Sequence, residues 1–401
     1  MENWVKTKLT DVCDIKKGEQ LNKLNLESSG DYPCINGGIS PSGYTDNWNT
    51  EANTITISEG GNSCGFINLL KTRFWSGGHC YSLLQIKNSI NHDFLYYALK
   101  GRESLVMDLR VGSGLPNIQQ KAIRNFEFIY PKEKSEQQKI AEILSKTDKA
   151  ITETEALIAK YNRIKTGLMQ DLLTKGIDEN GQIRSEETHE FKESALGRIP
   201  KEWKVRSIND LCTIIVDCKN RTSPFVEKSN YPVIRTSNVK NGSLVWDDIK
   251  YTDAYSYKIW TERAVPVTDD IIITREAPLG QVLKIPKGIT PILGQRTMLY
   301  KTNREFLLPD FLVYSIMDER MQKYLNNLGG GSTVHHLKVG EMRSFCIALP
   351  TKTNEQFKII SRINKEIEFI NLLILQKTKL QSLKTGIMQD LLSGKVRVNE
   401  K

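Results

Sequence analysis

A chain of 401 residues, 39% hydrophobic and 26% charged, is ordinary globular material with length for two or three domains, which excludes a disordered or fibrous protein. Its 56 Lys and Arg against 47 Asp and Glu give a net charge of +9, so a polyanion, most simply nucleic acid, is the first partner to expect. No apolar run is long enough to span a membrane and the opening residues lack a signal core, so a cytoplasmic protein without membrane contact is expected.

In chain order, residues 1–131 read as a first mixed α/β domain, rich in Gly, Asn, Ser and aromatics. Thr54–Ile57 has the composition of a strand and 91–109 the pattern of a helix. Residues 132–175 carry Ile140, Leu144, Ile151, Ile158, Tyr161, Leu168 and Leu172 at three- and four-residue spacing. That predicts one long helix of roughly 60 Å, with Ser135 and Gln138 as its capping box. The polar stretch 176–201 predicts a return loop, in which Asp178 and Glu190–Lys192 form a solvated charge cluster. Residues 202–350 read as a second mixed domain, with a strand at Ile271–Thr274 and a helix at 309–327. In 351–395, Ile359, Ile363, Ile367, Ile370, Ile374, Leu380, Ile387 and Leu391 predict a second long helix, capped by Asn354.

The chain is written twice. Leu168-Met-Gln-Asp-Leu-Leu173 returns as Ile387-Met-Gln-Asp-Leu-Leu392, each behind Lys-Thr-Gly, and Glu136-Gln137 returns as Glu355-Gln356. Arg124, Phe126 and Pro131 match Arg343, Phe345 and Pro350, while Trp4, Asp11, Cys13 and Ile15 match Trp203, Asp210, Cys212 and Ile214. Tyr32-Pro33-x-Ile35 matches Tyr231-Pro232-x-Ile234. One unit of about 200 residues has been duplicated and has diverged in its middle. Two related apolar stripes, each far longer than an average helix, pack better on each other than on their own domains. The fold class is therefore α+β: two homologous mixed α/β domains joined by two long helices in an antiparallel coiled coil, a pseudo-twofold internal repeat. Gly167 and Gly386, kept in both copies, mark either a close backbone approach or a tolerated kink.

Local signatures of catalysis are missing. Gly394-Lys395 is followed by Val396, so no phosphate loop forms, and no methyl-donor loop or amino-methylating motif occurs. Seven cysteines without a Cys-x-x-Cys pair read as buried free thiols, and no histidine pattern suggests a metal. The loops instead carry side chains that read bases. In the first domain these are Asn36, Gly37, Gly38, Glu59, Asn62, His79, Arg110, Ser113 and Asn117. In the second they are Lys219, Arg221, Arg235, Thr236, Ser237, Asn238, Arg275, Gln295, Arg296, Ser332, His335 and His336. Arg pairs bidentately with guanine and Asn or Gln with adenine, while Gly lets backbone approach phosphate. Two diverged domains with such loops suit a reader of two different half-sites. A self-sufficient enzyme and a coiled-coil adaptor for other proteins are the rival classes.

The whole chain resembles the specificity (S) subunit of type I restriction-modification enzymes. The resemblance rests on the paired Glu-Gln-x-Lys-Ile helix starts, the paired Lys-Thr-Gly-Leu/Ile-Met-Gln-Asp-Leu-Leu ends and the Phe191–Trp203 lead-in. Tyr231–Val239 and Asp270–Glu276 look like strands of the family's target-recognition domains. The first domain departs there, with Asn36-Gly37-Gly38 and Ser58–Gly61. The resemblance implies a non-catalytic reader of split double-stranded DNA that binds no cofactor itself. Two modification subunits would dock on the helices with S-adenosylmethionine for adenine-N6 methylation, and motor-nuclease restriction subunits would bring ATP and Mg.

Overall fold

The computed structural model describes residues 3–22, 24, 26–112, 114–328 and 336–398. It divides into two compact units, Met1–Leu157 with Leu373–Lys401, and Ile158–Leu372. In the first unit the five residues of Thr54–Ser58 are all buried, as befits a strand covered on both faces. It lies inside an antiparallel four-stranded sheet ordered Asp14–Lys17, Cys80–Leu84, Thr54–Ser58, Ile67–Leu70. A second sheet pairs Tyr32–Ile35 antiparallel with Gly43–Thr45 and parallel with Trp75–Ser76. Trp4–Lys8 pairs antiparallel with Glu127–Pro131 and brings the chain to the start of the first long helix.

The second unit repeats these three sheets and adds two short two-stranded ones, Phe191–Lys192 with Ile199–Pro200 and Val239–Lys240 with Ser243–Leu244. Its four-stranded sheet runs Cys212–Asp217, Thr297–Thr302, Ile271–Thr274, Val282–Lys284, and all four residues of Ile271–Thr274 are buried. Tyr231–Ile234 again has one antiparallel neighbour, Lys250–Thr252, and one parallel neighbour, Ile292–Leu293. Lys204–Ser207 pairs with Cys346–Leu349. The duplication read in the sequence is thus a duplication of topology. Each predicted single helix at 91–109 and 309–327 is instead two, His92–Lys100 with Glu103–Met107, and Pro309–Met317 with Glu319–Leu328. The first break falls at Gly101, where an added Cβ would stand 2.7 Å from Leu392 Cδ1.

The long helices are Lys134–Thr174 and Thr353–Leu392, of 41 and 40 residues. They begin one residue ahead of the expected caps, so Ser135 and Asn354 lie inside their first turns and Gln138 bonds Glu142 rather than a cap. Side chains of the first turn tie each helix start to its domain. In the first unit the buried Gln137 accepts from Asn91 N at 2.6 Å and donates to Pro131 O at 2.8 Å. In the second, Gln356 accepts from Leu308 N at 2.9 Å and donates to Phe306 O at 2.7 Å. The neighbouring glutamates make ion pairs: Glu136 is bidentate to Arg397 at 2.6 and 2.7 Å, and Glu355 to Arg184 at 2.5 and 3.2 Å.

Each unit therefore holds the start of its own copy's helix and the end of the other's. In the first, Ile140 and Leu144 share a core with Leu391 and Leu392, Lys384 pairs with Asp148 at 2.5 Å, and Arg102 donates to Leu392 O at 2.8 Å. In the second, Leu172 and Leu173 share a core with Ile359 and Ile363, and Arg320 donates to Leu173 O at 3.0 Å. Start meets end in both, so the helices run antiparallel, as the repeated stripes predict. Ile374 departs from the predicted stripe: it is 44% exposed, and its neighbour Leu373 is buried instead. Nothing packs within 4 Å of a Cβ added at Gly167 or Gly386, and both helices run through them unbroken. The close approach is not there, and neither glycine interrupts its helix.

The segment 176–201 is exposed at Glu190 and Lys192, as the solvated cluster requires, but it is also anchored to the second unit. Ile177, Ile199 and Arg184 are buried, and Phe191–Lys192 pairs with Ile199–Pro200. Burial works against the Arg184 charge, but Glu355 outweighs it and holds the guanidinium pKa above its ordinary value. Glu355 also accepts from Trp203 Nε1 and Ile177 N, both at 3.1 Å, while Arg184 keeps a second partner in Glu202 at 3.1 Å. Glu355→Ala, which orphans two buried donors as well as half of the ion pair, is thus expected to lower the denaturation midpoint of the full chain by more than Glu202→Ala does. Equal losses in the two variants would show that Glu355 is not what fixes this helix end.

Candidate nucleic-acid interface

In the first unit the predicted loops converge on Glu59. Its carboxylate accepts from Lys17 Nζ at 2.5 Å, from Tyr81 Oη at 3.0 Å and lies 3.1 Å from His79 Nδ1. Burial alone would raise its pKa, yet these partners hold it below the usual carboxylate value. Backbone bonds join the same loops: Glu59 N donates to His79 O, Gly61 N to Pro116 O and Ile118 N to Glu59 O. Asn36 Oδ1 accepts from His79 N at 3.0 Å. Asn36, Glu59, His79 and Asn117 are thereby brought together, Gly38 has only Ser40 beside it, and Arg110, Asn62 and Asn117 are exposed.

Two expected contacts in this unit become supports. Gly37 is buried with φ +80°, and its carbonyl is taken by the Ser58 and Ser63 hydroxyls. Glu59, its side chain only 12% exposed, is occupied in orienting Lys17, His79 and Tyr81. Lys17 and Tyr81 were not singled out from the sequence, because alternation within a strand carries no sign of a shared carboxylate. Ser113 lies outside the described residues.

In the second unit a cavity of about 310 Å³ gathers Arg221, Arg235, Thr236, Ser237, Gln295 and Arg296. Arg235 donates to Asp248 Oδ2 at 3.0 Å, and Arg296, with φ +68°, lies 3.3 Å from Glu276. The Arg221 guanidinium sits 5.0 Å from the Trp260 ring centroid, within cation–π range. Trp260, Phe225 and Ser223 also line the cavity; no motif in the sequence pointed to them.

Asn238 is a correction. It is fully buried, accepts from Arg235 N at 3.2 Å and donates to Val245 O and Asp247 O at 3.0 and 3.2 Å. An amide with those bonds staples the turn that carries Arg235; both its N–H donors are spent and its burial keeps the oxygen from a base. Arg275 is half-buried and donates to Leu337 O at 3.2 Å, which makes it as much a tie as a reader. Lys219 pairs with Glu262 at 3.0 Å and His336 is exposed; neither lines the cavity. Ser332 and His335 lie outside the described residues.

The thiols are free, but Cys212 and Cys346 are only partly covered, unlike the buried five expected of all. Burial pushes the Cys13 thiol up to about 12 and that of Cys80 to about 11, far from the thiolate needed for nucleophilic chemistry. Among the described residues no helix is long and apolar enough to cross a membrane.

The model of the type I restriction modification DNA specificity domain matches residues 1–165 and 200–385. The chain belongs to that family. It is similar, at 27% identity over 99% of this chain and 94% of the relative, to the type I restriction enzyme MjaVIII specificity subunit of Methanocaldococcus jannaschii. A putative type I specificity subunit of Mycoplasma genitalium is 35% identical over 41% of this chain and 43% of that protein. The crystal structure of a type I restriction-modification S subunit from M. genitalium shares the fold, with a TM-score of 0.63 at 20% identity over 97% of this chain and 96% of that one. As a DNA specificity subunit the chain selects sequence and carries no catalysis, and neither rival class keeps support.

The geometry separates side chains that reach the cavity or the surface from buried supports. Arg235→Ala is expected to weaken binding at the second half-site by about 1–3 kcal/mol with little change in melting temperature. Asn238→Ala, which orphans buried backbone groups, should lower the melting temperature first. DNA titration and thermal unfolding of both variants check this; the reverse pattern would exchange their roles.

Proposed function

We propose that each unit reads one part of a split DNA target and that the two long helices are the spacer between the readers. The observation that carries this is repetition of topology without repetition of contacts. At equivalent places, Asn36 after Tyr32–Ile35 stands where Arg235 follows Tyr231–Ile234, and His79 before Cys80–Leu84 stands where Arg296 precedes Thr297–Thr302. Base edges are read by side chains, so divergence of these residues on a constant frame is what two different half-sites require.

The helices also expose apolar side chains: Ile164, Phe369 and Leu372 in the second unit, Leu375 and Leu383 in the first. Apolar groups at such positions suit contact with other proteins. On this reading two modification subunits dock there and supply S-adenosylmethionine and adenine-N6 methylation. Restriction subunits then join with ATP and Mg, in the cytoplasm where the DNA lies, and this chain binds no cofactor of its own.

Mapping methylated adenines made by the chain assembled with its modification subunits tests the proposal. Two short fixed sequences separated by a run of unspecified bases are expected, and no methylation from the chain alone. A single uninterrupted target would overturn split reading.

A further inference from the structure

One side chain at the converging loops of the first unit is neither a polar reader nor a support. Leu115 is 87% exposed, more than any other large apolar side chain among the described residues except Leu24. A scattered leucine on an ordinary surface needs no explanation. This one is held out on a braced backbone. Antiparallel bridges tie Asn117 to both Val111 and Gly60. Val111 N donates to Asn117 O at 2.8 Å, Asn117 N to Val111 O at 3.0 Å, and Gly61 N to Pro116 O at 3.0 Å. The buried Ile118 completes the brace by donating to Glu59 O at 2.8 Å. Pro116 has a fixed φ and limits the residue before it, Leu115, to extended backbone. The other side of the tip is slender: Gly112 takes φ +98°, and a Cβ added at Gly114 would meet nothing within 4 Å.

Leucine carries no donor or acceptor, so it cannot read a base edge by hydrogen bonds. What it gains from DNA is burial, which grows with the area covered. A protruding leucine laid against one thymine methyl covers one edge; slid between two base pairs it covers both faces. Separating stacked bases has a cost, and a yielding loop would give way before the stack did. The brace prevents that. Charge points the same way. Residues 1–131 hold 13 Lys and Arg against 13 Asp and Glu, whereas 202–350 hold 20 against 16. The first domain has no surplus of cations to draw affinity from phosphates, so apolar contact has more of the binding to supply.

We infer that Leu115 is a wedge that inserts between two adjacent base pairs of the first half-site and kinks the DNA there. The inference rests on the proposal that this unit reads DNA and adds how it shapes the duplex. Apolar wedges of leucine or proline kink DNA by roughly 20–90° in architectural proteins. Unstacking costs least at a pyrimidine–purine step, so one such step is expected at the point of insertion. Sequence is then selected there by deformability, without a hydrogen bond to either base pair. By the offset that aligns Arg124 with Arg343, Val334-His335 stand where Leu115-Pro116 do, so the kink is expected in the first half-site alone.

The test uses the full chain assembled with its modification subunits and duplexes carrying the mapped target. 2-Aminopurine, which brightens when unstacked, replaces in turn each base of the first half-site that does not adjoin the methylated adenine. One step should brighten several-fold on binding, and dyes at the two duplex ends should draw closer. Leu115→Ala should remove both signals while melting at the same temperature and keeping selectivity for the second half-site. Leu115→Phe, which keeps an apolar blade, should retain them. A mismatch at that step, already partly unstacked, should tighten binding of the unaltered chain several-fold and that of Leu115→Ala hardly at all. Sequence-selective binding without brightening would overturn the wedge and leave DNA reading intact, as would brightening that survives Leu115→Ala. Loss of affinity on replacing thymine by uracil, with no brightening, would make Leu115 a methyl contact instead. Indifference of the complex to the sequence of the first half-site would overturn the DNA-reading proposal itself.

Discussion

A carboxylate taken out of water must find a partner, and the glutamate at the start of each long helix finds an arginine that follows the end of the other. Glu136 with Arg397 and Glu355 with Arg184 are the same solution made twice. Alone, each pair would be weak evidence of stability, because desolvation offsets most of the attraction. Their effect is on uniqueness. The adjacent glutamines are fully buried and spend their amides on backbone groups of their own domains, so a helix slipped by one residue would strand a charge and an amide together. Arg102 and Arg320 repeat the constraint from the domain side by capping Leu392 O and Leu173 O. These bonds convert an apolar seam, which tolerates sliding, into a fixed register.

The loops proposed to read DNA follow the opposite logic. Their polar groups are held by neighbours but remain near the surface: Lys17 and His79 by Glu59, Arg235 by Asp248, Arg296 by Glu276. Holding a guanidinium or imidazole before DNA arrives removes part of the ordering cost on binding. Supports and readers can then change separately. The support Asn238 is satisfied by backbone alone, whereas the groups around it can be exchanged without disturbing the sheet.

Much of this was legible in the residues. Repeated Glu-Gln and Lys-Thr-Gly motifs gave away the duplication, and three-four spacing gave away both helices, because periodicity reports burial directly. The Glu–Arg pairs were not legible, since Arg184 and Arg397 sit in segments whose polarity suggests solvent. Nor were the helix starts, which lie one residue before Ser135 and Asn354, or the bonds by which Gln137 and Gln356 tie those starts to Asn91 and Leu308. Among site residues, glycine, asparagine and glutamate misled most. Gly37, Asn238 and Glu59 have the composition of contacts and the position of supports, and only burial tells the two apart. The aromatic lining of the second cavity, Trp260 and Phe225, came from a helix and a loop with no motif at all.

The central claim is that each domain reads its own half of the target, with the helices only holding the readers. Replacing residues 1–131 by the corresponding domain of a relative, and mapping the adenines then methylated by the assembled complex, tests it most directly. One half of the target should change to the donor's sequence while the other half and the gap stay as they were. Simultaneous change of both halves would contradict it.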